Sequence, residues 1–200
     1  AESTKIYLKI DEELVGAILL KDEAKHGTKE AIQALNSRGI VTKMFTGDNK
    51  KAAKQIAEEL GISEFEAEML PDQKYSELEK ELEKYKGTNG KVAFVGDGIN
   101  DSPVLARADV GISMGGVGSG SAIEASDIVV MTDSIDRIDC AIDISKKTSK
   151  IIKQNLIFSI GVKIIVLVLS AFGVANMWEA VFADVGATLI TVLNSLRILK

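Results

Sequence analysis

Polar and apolar residues exchange places along this chain with changing period. In TKIYLKIDEELVGAILL (4–20) β-branched and aromatic residues alternate with polar ones, which predicts two strands with a turn near Asp11 and Glu12. TKEAIQALNSRG (28–39) spaces Ile32 and Leu35 along one face of a helix that Gly39 stops, and IVTKMF (40–45) then reads as a short buried strand. The unit recurs. KKAAKQIAEELG is a helix ending at Gly61, PDQKYSELEKELEKYKG is another with Pro71 in its first turn, and KVAFV (91–95) is a strand. DVGISM (109–114) and DIVVM (127–131) add two short apolar strands. This alternation predicts a parallel α/β sheet with helices on both faces.

From Leu156 to Leu199 the pattern changes altogether, since only Lys163, Glu179, Asp184 and Arg197 are ionisable there. LIFSIGVKIIVLVLSAFGVA (156–175) and AVFADVGATLITVLNSLRIL (180–199) each have the roughly 20 residues that cross a hydrocarbon layer as helix. The link NMWE is so short that the two must form an antiparallel hairpin. Lys146, Lys147, Lys150 and Lys153 precede the first span, and Arg197 and Lys200 close the second, so the positive-inside rule puts residues 1–155 in the cytoplasm. Two buried core helices of a soluble protein are the alternative. Lys163 and Asp184 lie about 20 and 12 Å from the turn at the helical rise, within reach of one another for a long lysine side chain. The pattern therefore predicts an intramembrane ion pair, with two snorkelling side chains as the bland alternative.

The 200 residues carry a net charge of −5 and no basic stripe, which argues against nucleic acid as a partner. The single cysteine, Cys140, excludes a disulfide framework and a thiolate metal cage, and reads as a small buried hydrophobe.

In an open α/β sheet, ligands collect at the carboxyl ends of the strands. Three polar loops fall on that edge: Thr46-Gly47-Asp48, the loop Met69 to Lys74 that opens a helix, and Gly96 to Asp101 after VAFV. Each is a commonplace turn by itself. Together they suggest phosphoryl transfer, which needs a hard cation with oxygen ligands, donors for phosphoryl oxygens and a balancing positive charge. Asp97 and Asp101 supply carboxylates, Thr46 and Asn100 donors, and Lys74 the charge.

TGDN, LPDQK and VGDGINDSP, in this order, resemble the phosphorylation domain of P-type ATPases, members of the haloacid dehalogenase-like superfamily. The resemblance implies that Asp97 binds Mg2+, and that Asn100 and Asp101 complete the loop around the phosphorylated site, Asp101 beside the Mg2+. It further implies that Thr46, Gly47 and Asp48 contact phosphate and the ATP end, and that Lys74 neutralises phosphate. LLKDEAK resembles the segment where the nucleotide domain rejoins, making Asp22 and Lys25 hinge-side candidates. The membrane pair resembles the last helices of the zinc-, cadmium- and lead-exporting branch, which implies that Asp184 binds the transported ion with Lys163 as its counter-ion. The copper-exporting branch has a Tyr-Asn pair where Val162 and Lys163 stand.

The implied organisation is a remnant of the nucleotide-binding domain (1–20), a phosphorylation domain (21–145), and a linker with two transmembrane helices (146–200). The family's nucleophile, the Asp of DKTGT, has no counterpart in these residues. The expectation is therefore the C-terminal portion of a Zn2+/Cd2+/Pb2+ export pump that uses Mg2+ and ATP, inactive without its upstream part and embedded in membrane lipid. A truncated non-catalytic membrane protein and a membrane-anchored phosphatase are the alternatives. The latter would need Asp22 as nucleophile. GVGSGSAIE (116–124) departs from relatives, and no ligand is assigned there.

Overall fold

The computed structural model describes residues 4–11, 13–20, 24–97, 100–115, 120–132 and 134–199. The expectations placed on Asp22, on the centre of the GDGIND turn and on residues 116–119 lie outside these. The described chain divides into two compact units, Ala1–Asp139 and Cys140–Lys200.

In the first unit, β1 (Thr4–Ile10) and β2 (Glu13–Leu20) form an antiparallel hairpin whose register shifts between Leu8 and Lys9. Asp11 takes a left-handed φ of 46° in its turn. Tyr7, Leu8, Ile10, Leu14, Val15 and Ile18 are all exposed, so apolar residues show on both faces.

The α/β part follows the predicted alternation. Helix α1 (Thr28–Ser37) buries Ala31, Ile32 and Leu35 along one stripe and is followed by Gly39 at φ 77°. Helix α2 (Lys50–Leu60) opens on Asn49, whose side chain accepts from Ala52 N at 2.9 Å, and ends at Gly61 with φ 76°. Strands β3 (Lys43–Phe45) and β4 (Glu64–Glu66) pair in parallel. Strands β5 (Ala93–Gly96), β6 (Val110–Met114) and β7 (Ile128–Val130) form a second parallel sheet in that order.

Between them lies α3 (Pro71–Tyr85). Its Leu78 joins Phe94 of β5 and Val104 and Leu105 of α4 (Ser102–Arg107) in the main core cluster, with Phe45 and Leu82 packed at the margin. The Phe45 and Phe94 ring centroids are 6.5 Å apart. Strands β3 and β5 thus share one helix and one core while no hydrogen bonds pair them, and each shows a single partner strand among the described residues. Helix α4 approaches β6 so closely that a Cβ on Gly111 would come within 2.4 Å of the Leu105 carbonyl oxygen. Only glycine fits there. The short helix α5 (Gly120–Ala125) completes this unit.

Three expectations need correction. The strand expected over 40–45 covers only Lys43–Phe45 and is half-buried, with Ile40 and Val41 exposed, because β3 is covered on one edge alone. Strand β4 and helices α4 and α5 were not foreseen. EFE is too short and too charged to show a period, whereas α4 carried a usable signal in Pro103 near its start. Cys140 is exposed, not buried. It lies two residues beyond buried Ile138, on the opposite side of the helix.

In the second unit the segment expected as a linker is helical. Helix α6 runs unbroken over Asp136–Ala171, and α7 (Met177–Ser195) continues as a 3-10 turn, Leu196–Leu199. Helix α6 ends at Ala171, four residues before the expected Ala175, and Gly173 (φ 73°) follows it. Asn176 caps α7: its side chain accepts from Trp178 N and Glu179 N, and the Glu179 carboxylate accepts from Asn176 N at 2.8 Å. Trp178 therefore sits in the first turn of α7 and not in the link. Both helices are long and apolar enough to cross a membrane, and only 6% of the most apolar window of each is buried.

Candidate phosphoryl site and membrane ion pair

Lys74 is placed by the start of α3. Pro71 occupies the first turn, where a missing N–H costs nothing, and Gln73 turns back so that its Oε1 accepts from Leu70 N at 2.8 Å. The lysine one residue later donates to both oxygens of Asp101, at 3.0 and 3.1 Å. Asp101 sits just before α4, where its carbonyl accepts from Val104 N and Leu105 N. The two side chains are 18% and 11% exposed, so this is a shielded, two-pronged ion pair. Gly96 ends β5 directly against it, since a Cβ there would lie 3.3 Å from Asp101 Oδ2.

An open cavity of about 410 Å3 lies over this pair. Asp97 and Asn100 line it with Lys74 and Asp101, as do Lys25, His26 and Thr28 from the start of α1. Met114, the last residue of β6, and Ser134 and Ile135, beyond the end of β7, close it. The sequence reading had not used Thr28, Met114, Ser134 or Ile135. Met114 and Ser134 had a signal, because both lie at or beyond the carboxyl ends of strands.

Thr46, Gly47 and Asp48 form a self-closed turn: Thr46 Oγ1 donates to Asp48 Oδ2 at 2.8 Å and accepts from Asp48 N at 3.1 Å. The turn is laced to the segment that leads into α3, with Thr46 N donating to Glu66 O, Met69 N to Thr46 O and Glu68 N to Asp48 O. It is tied to the element that carries Lys74, but none of its three residues lines the cavity.

Further ion pairs fix α3 and β5. Lys43 Nζ on β3 donates to Glu81 Oε1 on α3 at 3.0 Å. Burial pushes the Glu81 carboxyl up, but its bonds to Lys84 and Lys43 outweigh that and hold its pKa below the usual value. Asp109 accepts from Val92 N at 3.0 Å and from Lys91 Nζ at 3.2 Å, tying the approaches to β5 and β6. The Val92 bond, helped by Lys91, holds the Asp109 carboxyl below its ordinary range.

Asp97, Asn100 and the edge of Asp101 present hard oxygen donors to one cavity, chemistry that suits Mg2+. No three of His, Cys, Asp and Glu converge as a ready-made cage among the described residues. A Mg2+ site needs none, because this ion keeps its waters and takes one or two carboxylates together with phosphate oxygens.

In the second unit, Lys163 Nζ lies 3.3 Å from Asp184 Oδ1, joining α6 to α7 as the depth of the two residues had predicted. Both side chains are more than half exposed on the hairpin.

Similarity to known proteins runs through both units. Over 198 residues, 98% of this chain, it is 48% identical to a cadmium, zinc and cobalt-transporting ATPase of Bacillus subtilis and 45% identical to a zinc-transporting ATPase of Synechocystis. It spans 28% and 27% of their lengths. The crystal structure of a zinc-transporting PIB-type ATPase in its E2.Pi state superposes with a TM-score of 0.84 at 35% identity, covering 100% of this chain and 32% of that one. The family of haloacid dehalogenase-like hydrolases matches residues 1–109, more than half the chain, and the chain belongs to that family.

Proposed function

We propose that this chain is the C-terminal portion of an ATP-driven pump that exports Zn2+, Cd2+ or Pb2+ through a Mg2+-dependent aspartyl-phosphate intermediate. The observation that carries the reading is the Lys74–Asp101 pair beside Asp97 in one cavity at the carboxyl edge of a parallel sheet. Similarity to cadmium and zinc transporters over 98% of the chain supports the cargo class.

Each residue has a definite task on this reading. Lys74 meets phosphoryl oxygens with a positive charge that Asp101 holds in place; with both its oxygens on Lys74, Asp101 is first a positioning residue for it. Asp97 is the carboxylate that holds Mg2+, which when bound neutralises phosphoryl charge. Asn100 donates to the same anion. Thr46, Gly47 and Asp48 brace the start of α3 from the ATP side. The nucleophile belongs on a strand between β3 and β5, which share α3 and a core without hydrogen-bonding each other. The exposed apolar faces of the β1–β2 hairpin suit a remnant of a larger nucleotide-binding domain.

Residues 1–155 lie in the cytoplasm, and α6 and α7 cross the membrane. A charged pair on apolar helices faces a protein interior or a water-filled path, not lipid. The exposure of Lys163 and Asp184 therefore marks the face that other helices of the pump cover, with Asp184 as the ion ligand and Lys163 as its counter-ion. Lipid surrounds the rest. The test joins the upstream sequence of the pump to this chain and measures metal-stimulated ATP hydrolysis in proteoliposomes. Stimulation by Zn2+ or Cd2+ that Asp184→Ala abolishes is expected; stimulation that survives the change removes Asp184 from the ion path.

A further inference from the structure

One polar cluster on the membrane hairpin serves none of these tasks. Asn155 directly precedes the first apolar run of α6, and all its amide atoms are engaged on α7. Its Nδ2 donates to Ser195 Oγ at 2.9 Å and to the Thr191 carbonyl at 3.2 Å, and its Oδ1 accepts from Asn194 Nδ2 at 2.8 Å. Ser195 Oγ also donates to the Thr191 carbonyl, and Arg197 Nη1 to Asn194 Oδ1 at 2.9 Å. We propose that Asn155 is a positioning residue, whose amide clasps α6 to the last turn of α7 at the membrane boundary and sets the register at which Lys163 meets Asp184.

Two physical facts support the clasp. A carbonyl oxygen has two lone pairs and water is scarce near hydrocarbon, so Thr191 O, inside the last turns of α7, gains a further donor that the neighbouring helix supplies. The contact is also in register with the ion pair. About 12 Å of helix separates Asn155 from Lys163, and about 10 to 16 Å separates Asp184 from Thr191 and Ser195. A slip of one turn would break both contacts at once. Interhelical amide bonds act as glue in lipid, where apolar packing alone leaves helices free to slide. The link to ion binding rests on the transport reading; the clasp itself does not.

The first arm therefore leaves transport aside. In the full chain in lipid nanodiscs, with Cys140→Ser, cysteines are introduced by Lys163→Cys and Asp184→Cys and joined with a short bis-maleimide. Controls shift the second cysteine by one turn, to Ala180→Cys or Thr188→Cys. With Asn155 present the 163–184 pair is favoured, and Asn155→Leu lowers that preference by about three- to thirty-fold, the factor that interhelical hydrogen bonds carry. The pair Asn194→Ala with Ser195→Ala does the same, and Asn155→Gln restores part of it. An unchanged preference in Asn155→Leu and in the double variant overturns the clasp. The second arm uses the pump completed with its upstream sequence. Asn155→Leu should raise the KM for Zn2+ by the same factor while phosphorylation by inorganic phosphate holds, whereas equal loss of both overturns the positioning role. A completed pump that no divalent ion stimulates sinks the transport reading, and the cross-link still decides the clasp.

Discussion

Lys74 and Asp101 show what a single contact can carry. Replacing Lys74 by Met leaves a shielded carboxylate without its counter-charge, which should cost about 2 to 4 kcal/mol of stability. Lys74→Met with Asp101→Asn should cost less than the sum of the two changes, because the coupling between them is then gone. Urea titration of the full chain in detergent, followed by circular dichroism, measures both. Equal and additive losses would mean that the pair is incidental. Gly111→Ala should destabilise by about 1 to 3 kcal/mol through overpacking against Leu105. At this scale the motifs led to four residues that line one cavity, Lys74, Asp97, Asn100 and Asp101, and to three, Thr46, Gly47 and Asp48, that do not. What spacing could not show is how oxygens are shared. Asp101 reads as a metal ligand in the motif, yet in the fold both its oxygens already hold Lys74.

Elements are held in place by a few such ties, and one of them responds to acid. The Asp109 carboxyl has a lower pKa folded than unfolded, so the unfolded chain binds the proton first. Its contribution to stability is complete above the ordinary carboxylate value and fades as the pH falls below about 4. Asp109→Asn should therefore flatten the loss of stability between neutral pH and pH 3, read as a shallower fall in unfolding midpoint. The long helices were legible because their apolar stripes and stop glycines repeat over many residues, as at Gly39 and Gly61. Three-residue strands were not. β4 carries two glutamates around one phenylalanine and is a strand only because β3 lies beside it, a long-range fact that local pattern does not contain.

On the proposed reading, the whole molecule joins a phosphoryl site to a membrane hairpin. The hairpin was legible from hydropathy and flanking lysines, and even the Lys163–Asp184 contact followed from residue depth. The continuous run of α6 through the lysine-rich segment was not, since polar residues at a membrane boundary look the same in a helix as in a linker. The account as a whole turns on one absence in the sequence: the acids are present, and the aspartate of DKTGT is not. Incubation with γ-32P-ATP, Mg2+ and Zn2+ followed by an acid gel tests this most directly. This chain alone should show no acid-stable label, while the chain joined to its upstream sequence should label strongly and lose that label in Asp97→Ala. A labelled band from the 200 residues alone, or full labelling of the completed pump without Asp97, would contradict the account.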